Sequence, residues 1–272
     1  MNLSKAQPLS DIPDKSLDDL YFEFQADLGM TKHIGAIKAT DELLRLCHVD
    51  EHSKILDVGC GAGLTDRYMA QKYGVNVVGI DIRPHMIRCA RQYAKDAHLT
   101  SQVRFEVADA QVLPFDDNSF DIVMCESVLA FVPDQPKALQ EWVRVAKPGG
   151  YIGFTEAVWI TLPPAKARAG MDQYTSGGSG VQASEKWEAL IQQAGLHDVV
   201  CRKYAVNMLE EAGGQMKRVG CSRMLGMGGK AIKWLFTNPD YRRFMKNANQ
   251  LPKSLIKHMG YGIYVGQVPL NK

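Results

Sequence analysis

The sequence is poor in the features that mark secreted, metal-stapled or membrane-spanning chains. Its six cysteines stand apart at positions 47, 60, 89, 125, 201 and 221, with no C-x-x-C pair among them. A zinc ribbon and a disulfide scaffold are therefore both poor readings, and free thiols are the default. No apolar run approaches the ~20 residues of a membrane span. The first residues carry Asp11, Asp14, Asp18 and Asp19 in place of a secretory apolar core, so a cytoplasmic protein is expected, with no metal. Net charge is small, +2 over 272 residues, but it is uneven. Between Arg202 and Lys257 there are 12 Lys and Arg against 3 acids, a balance of +9, which leaves −7 for the rest. The basic segment contains no base-reading motif, and nucleic acid is not an expected partner.

What the chain does have is a run of strand-forming residues, Ile55-Leu56-Asp57-Val58, that enters glycines at 59, 61 and 63 and then a helix-competent stretch from Leu64. A strand, a tight turn and a helix start of this kind put the backbone where a ligand can lie against it, because glycine leaves no Cβ in the way. The dinucleotide fingerprint requires G-x-G-x-x-G. Here the third glycine comes one residue early, with Leu64 in its place, and nicotinamide binding is disfavoured. Cys60, inside the turn, is read as a small packing residue. A second apolar run, Val75 to Ile80, ends in Asp81; a third, Val103 to Val107, leads to Ala108-Asp109-Ala110.

In this order the motifs resemble those of class I S-adenosylmethionine-dependent methyltransferases of the small-molecule type, such as the phosphoethanolamine, sterol and quinone enzymes. The Phe120–Met124 strand and the Lys147-Pro148-Gly149-Gly150 turn extend the likeness, which covers about residues 33 to 206 and the last strand. The resemblance implies an α/β fold: a Rossmann-like seven-stranded sheet flanked by helices, its last strand antiparallel, with a helical insertion before that strand. It implies S-adenosylmethionine as cofactor, with Asp57, Gly59, Gly61 and Gly63 at the methionine end, Asp81 on the ribose and Asp109 with Ala110 at the adenine. Ile82 and Met86 are candidates to pack against adenine or ribose, though both would serve equally as core. Tyr21, His33 and Gly35, in the stretch before the first motif, are candidate cofactor contacts; a capping helix with a surface histidine is the competing account.

Three parts are expected: a flexible arm over 1–20, a cofactor domain over 21–206 and 260–272, and a helical insertion over 207–259. Within the insertion, Asn238-Pro239-Asp240 and Leu251-Pro252-Lys253-Ser254 read as helix starts. Gly213-Gly214, Gly226 and Gly228-Gly229 are expected to interrupt short helices. Six methionines lie here with Trp234, Phe236 and Phe244, which suits a lid over an apolar acceptor carrying an acidic group, or a peripheral contact with an anionic membrane. A solvated face of ordinary helices is the plainer account of the same charges. The loop from Ala157 to Val181 is read as functional from its length.

Methyl transfer is an in-line displacement, so the residues required are those that align the partners and accept a proton. Glu126, at the end of the fourth strand, is a candidate both for the base and for a cofactor contact, and His33 is the second candidate base. The Asn/Asp-Pro-Pro-aromatic motif of amide and adenine methylation is replaced by Glu126-Ser127-Val128-Leu129. Two other readings are an arsenite or metalloid methyltransferase, if Cys125, Cys201 and Cys221 meet at the pocket, and a cofactor-binding protein that transfers nothing.

Overall fold

The computed structural model describes residues 17–28, 33–164, 181–206, 221–248 and 253–271. Helix α1 (Leu17–Leu28) and helix α2 (Ala36–Leu46) precede the first strand. Then follow β1 (Lys54–Val58), α3 (Leu64–Tyr73), β2 (Asn76–Asp81), α4 (Pro84–Asp96), β3 (Val103–Val107), β4 (Phe120–Glu126), α5 (Gln135–Val145) and β5 (Ala146–Trp159). The chain continues with α6 (Ser184–Gln193), β6 (His197–Ala205), α7 (Cys221–Thr237), α8 (Pro239–Ala248) and β7 (Met259–Gln267).

The seven strands form one sheet in the order β3-β2-β1-β4-β5-β7-β6. β1 to β5 pair parallel, and β7 runs antiparallel between β5 and β6, with Phe154 opposite Tyr264. This is the arrangement the resemblance implies. Chain order reverses between β1 and β4, and in open parallel sheets ligands bind beyond the strand ends at such a point. Alternate residues of each strand feed opposite faces, as pleating requires. Leu56, Ile80, Val123 and Phe154 pack with Trp142 of α5 and Trp187 of α6 on one face. Ile55, Val77, Ile122 and Ile263 pack with Leu43, Met69 and Ile87 on the other.

Several local signals act as expected. Gly74 closes α3 in the left-handed conformation at φ 72°. Pro84 opens α4, and the Asn238 side chain accepts the Tyr241 N–H at the start of α8. Two expectations are corrected. Leu17 to Leu20 belong to α1, not to an arm, because Leu20 is buried with Phe24 and Tyr241. Gly226, Gly228 and Gly229 do not break α7, which runs unbroken through them. The helix is held from one side by Ala231 and Trp234, and that packing outweighs the ~1 kcal/mol each glycine costs. The start expected at Leu251 appears as a 3₁₀ segment, Lys253–His258. Gly213-Gly214, most of the Ala157–Val181 loop and residues 1–16 lie outside the described residues.

α1, α7 and α8 form a cap. Phe24 meets Trp234 at 5.3 Å and Tyr241 edge-on at 4.9 Å, and Lys230 donates to the Asp27 carbonyl at 2.7 Å. The same helix reaches the strand ends on its other side, where Phe22 stands 5.8 Å from Phe131 and lies under the Arg83 guanidinium.

Candidate active site

β1 delivers the chain into a turn whose glycines all take positive φ: 83° at Gly59, 54° at Gly61 and 69° at Gly63. A Cβ on Gly59 would stand 2.6 Å from the Val128 methyls, so both the angle and the space demand glycine there. The turn is tied to the end of β2. Gly59 and Cys60 donate their N–H groups to the Ile80 carbonyl at 2.8 and 2.9 Å, and Gly61 donates to Asp81 Oδ2 at 3.1 Å. Arg83 N–H holds the other Asp81 oxygen at 2.8 Å. Each oxygen keeps acceptor capacity after one such bond, so Asp81 can receive further hydroxyls while its orientation stays fixed. Burial raises its pKa, and the two N–H bonds oppose that shift.

Beneath the turn lies an unusual concentration of acid. Asp57 on β1 and Asp66 on α3 are both buried, and their carboxyls face each other within hydrogen-bonding reach once one of them holds a proton. Desolvation pushes both carboxyls well above the ordinary carboxylate range, and for Asp57 the nearby charges of Asp66, Glu126 and Asp81 push further. Two carboxyls so placed share a proton, since like charges in one dry site cannot both ionise cheaply. Glu126 ends β4 on the same floor. Its Oε1 accepts the Thr40 hydroxyl at 2.8 Å, and its Oε2 accepts the Thr65 hydroxyl at 2.9 Å. His33 Nε2 stands 3.4 Å from Oε1 and 3.0 Å from the Ala36 carbonyl. Ser127, the next residue, is at φ 57°, a strained angle for a side-chain-bearing residue at a strand end.

The far side of the turn is apolar and open. Ile82 is 60% and Val107 49% exposed, at the ends of the neighbouring strands β2 and β3. Asp109 lies just beyond, its carboxylate engaged by the Gln111 backbone N–H at 2.9 Å and by the Gln111 amide at 3.0 and 3.2 Å. The Ala110 carbonyl accepts the Trp142 indole N–H at 3.3 Å, which pins this corner to α5.

The remaining sequence candidates fall in different places. Met86 is core, buried with Ala26 and Ala62 under α1. Gly35, at φ 93°, caps α2 at its start, and a Cβ there would strike Ala39 and the Tyr261 ring. His33 is buried, which removes the surface-histidine account. Tyr21 is on α1, but its side chain lies outside the described residues. Sequence reading missed Asp66, Thr40, Thr65, Gln111 and Glu156. Glu156, on β5, is buried and accepts the Ala130 N–H at 3.1 Å, and burial pushes its pKa up to about 8. The metalloid reading loses its site. Cys125 on β4 and Cys201 on β6 are separated by β5 and β7, roughly 14 Å at the usual strand spacing. Burial raises both thiols away from the thiolate form, and the Cys221 side chain lies outside the described residues.

Residues 56–154, from the first motif through the core of β5, match the family model described as a methyltransferase domain. Over this stretch the chain is similar to methyltransferase domains. Among curated proteins it is 32% identical over 166 residues to phosphoethanolamine N-methyltransferase of Triticum aestivum, covering 61% of this chain and 32% of that protein. It is 38% identical over 159 residues to norajmaline N-methyltransferase of Rauvolfia serpentina, covering 55% and 54%. The chain thus spans about a third to a half of the length of these relatives. Among solved structures, the Haemonchus contortus phosphoethanolamine N-methyltransferase 2 complex with S-adenosyl-L-methionine superposes with TM-score 0.69 at 17% identity, covering 95% of this chain and 59% of that one. The [4+2]-cyclase SpnF superposes with TM-score 0.72 at 20% identity, covering 92% and 94%. At such identities the structures share the fold, and a cyclase among them shows that this fold does not by itself dictate the reaction.

Proposed function

We propose that the methyltransferase domain binds S-adenosylmethionine beyond the ends of β1, β2 and β3 and methylates a small molecule held between the sheet and the cap. The observation that carries this reading is the acidic floor under the glycine turn. Asp57, Asp66, Asp81 and Glu126 crowd four carboxyls into a part-buried site where Asp57 and Asp66 share a proton, and a cationic ligand favours their ionised forms where a dinucleotide phosphate would oppose them. Bound there, S-adenosylmethionine supplies a methyl group activated by its sulfonium, and its ammonium and sulfonium together outnumber its carboxylate.

The chain's own residues then divide the work. The turn at Gly59, Gly61 and Gly63 admits close approach of the ligand to the backbone, and Asp81, fixed by Gly61 and Arg83, is placed to accept ribose hydroxyls. Ile82 and Val107 offer apolar walls to a flat ring, beside the Asp109–Ala110 corner. Of the two candidate bases, Glu126 fits a charge-holding and positioning role better than proton removal, because both of its oxygens already accept hydroxyl hydrogens. His33 Nε2 is turned inward to Ala36 and Thr40. The cap excludes water from the acceptor side. Likeness to two proteins named as N-methyltransferases makes an amine nitrogen the first acceptor class to try, within molecules that have an apolar body with or without an acidic group.

Calorimetric titration tests the binding half. Asp81→Ala is expected to weaken S-adenosylmethionine by on the order of 2 kcal/mol, the loss of hydrogen bonds to a charged group. Equal affinity in the variant, with NADH binding both proteins more tightly, would remove the reading. Isotopic methyl transfer to a panel of amines, quinols and lipid-soluble acids tests the other half. Tight cofactor binding with no label in any acceptor would favour the second reading, a binder that transfers nothing.

A further inference from the structure

Helix α7 presents two faces of opposite function. At 3.6 residues per turn, Met227, Ala231 and Trp234 fall together and form its packed side, with Ala231 and Trp234 against Leu20, Phe24 and Tyr241. Leu225, Ile232 and Phe236 fall within about 40° of one another on the opposite side. A soluble helix places polar residues there. Here the three side chains stand 79%, 60% and 81% exposed. Gly228 and Gly229, also exposed, flank this stripe and put no polar group into it. Along the helix the stripe is about 16 Å long at 1.5 Å per residue.

Charge on α7 and α8 themselves is nearly all of one sign. Residues 221–248 hold six Lys and Arg and a single acid, Asp240, which is paired with Arg243 at 3.8 Å. Lys233 sits beside the stripe and is exposed, as are Arg242 and Lys246 on α8. Arg242 also donates to the Leu235 and Phe236 carbonyls at 3.3 and 3.2 Å, so it closes the end of α7 and keeps a cation at the apolar tip. An outward apolar stripe with a basic border, on a helix anchored by its other face, is the construction of an interfacial helix. No helix among the described residues is long and apolar enough to cross a membrane.

We propose that α7 docks the protein onto an anionic bilayer surface, with Leu225, Ile232 and Phe236 entering the headgroup boundary and Lys233, Arg242 and Lys246 meeting lipid phosphates and carboxylates. The helix is one contact removed from the cleft: α7 packs on α1, and α1 reaches the strand ends through Phe22, Phe131 and Arg83. Docking therefore brings the cap side of the cleft to the membrane, where an acceptor dissolved in lipid can enter without crossing water. That consequence rests on the methyl-transfer reading; the docking does not.

The test is co-sedimentation of the full chain with vesicles of phosphatidylcholine alone and with one quarter phosphatidylserine. Wild type is expected to pellet at least tenfold more with the anionic vesicles, and less at 0.5 M salt. The triple variant L225S/I232S/F236S removes only exposed side chains. It should keep the wild-type melting temperature and lose at least tenfold in vesicle partition, and Lys233→Glu should lose a smaller part. Wild type left in the supernatant, or a triple variant that pellets equally, overturns the proposal. So does a wild-type dimer by light scattering that becomes monomeric in the triple variant without any vesicle binding, which assigns the stripe to a second copy. Because vesicle binding needs neither cofactor nor acceptor, a negative result here and a negative methyl-transfer assay are separate failures.

Discussion

The sheet and the cap are built to different standards. The sheet buries large side chains on both faces, Trp142, Trp187, Phe154 and Tyr264 on one and Leu43, Ile55 and Met69 on the other, all removed from water. Among the described residues the cap has a small core of its own, Leu20, Phe24 and Tyr241, with three partly buried neighbours. Local stability follows buried apolar contact, so the sheet should open only when the protein unfolds, while the cap opens at much lower cost. For a site that must hold one ligand in fixed geometry and admit another, this difference is useful. On the proposed function, the half that carries the glycine turn and Asp81 is preformed, and the cap is the half that would move over the acceptor.

The comparison breaks if the two halves prove equally stable. Trp142→Ala removes a fully buried ring whose indole also pins the Ala110 corner, and about 3–5 kcal/mol of global stability is expected to go with it in urea unfolding. Tyr241→Ala should behave differently, lowering global stability by about 1 kcal/mol while amide exchange in α1, α7 and α8 accelerates strongly. If Tyr241→Ala shifts the urea midpoint as far as Trp142→Ala, the cap is part of the main core.

The same substitution should also have opposite signs in the two halves. In the sheet, Gly59→Ala forces a side chain to φ 83° and against Val128, costing about 1–3 kcal/mol for the angle. Displacement of Val128 adds to that and should disturb the turn, so cofactor affinity falls at least tenfold. In the cap, Gly228→Ala meets no atom within 4 Å and should stabilise α7 by up to about 1 kcal/mol. Exchange rates in α7 check the second, and calorimetry with chemical unfolding checks the first. A tolerated Gly59→Ala would show that the turn is not the rigid element proposed.

The readable parts of the molecule were those whose physics is local. Gly59, Gly61 and Gly63 announce a turn because glycine is the residue for positive φ, and Asp81 follows one strand-helix-strand interval later. The order of strands, with β7 antiparallel beside β5, came through the family likeness that these motifs carried. What stayed hidden reaches the site from afar. Thr40 is 86 residues and Thr65 61 residues from Glu126 in sequence, and nothing in either threonine's neighbours marks it as a carboxylate partner. Asp66 looks like an ordinary acid in the first turn of a helix until burial beside Asp57 is known. Glu156 sits in an apolar strand with no motif around it. The glycines of α7 were misleading because tertiary packing against α1 holds that helix, and α1 lies outside the motif region; Met86, left open in sequence between core and cofactor contact, is buried with Ala26 of the same helix.

The pH response offers a finer test of the same preformed half. Glu156 holds its proton up to about pH 8 in the fold, because burial outweighs the backbone N–H groups it accepts, whereas in the unfolded chain it ionises near the ordinary glutamate value of 4.5. Between these limits the native state binds more protons than the unfolded state, so this group makes the protein less stable as pH rises, and the effect is absent below the lower limit. Glu156→Gln keeps an oxygen to accept the Ala130 N–H and removes the titration. The variant should therefore gain on wild type by up to about 1.4 kcal/mol for each pH unit between 5 and 8, with the gain levelling off above that. Urea unfolding at pH 5, 6, 7 and 8 gives the difference directly. Parallel curves for the two proteins would mean that water reaches Glu156, and the sheet end beneath the 129–131 turn would then be as open as the cap.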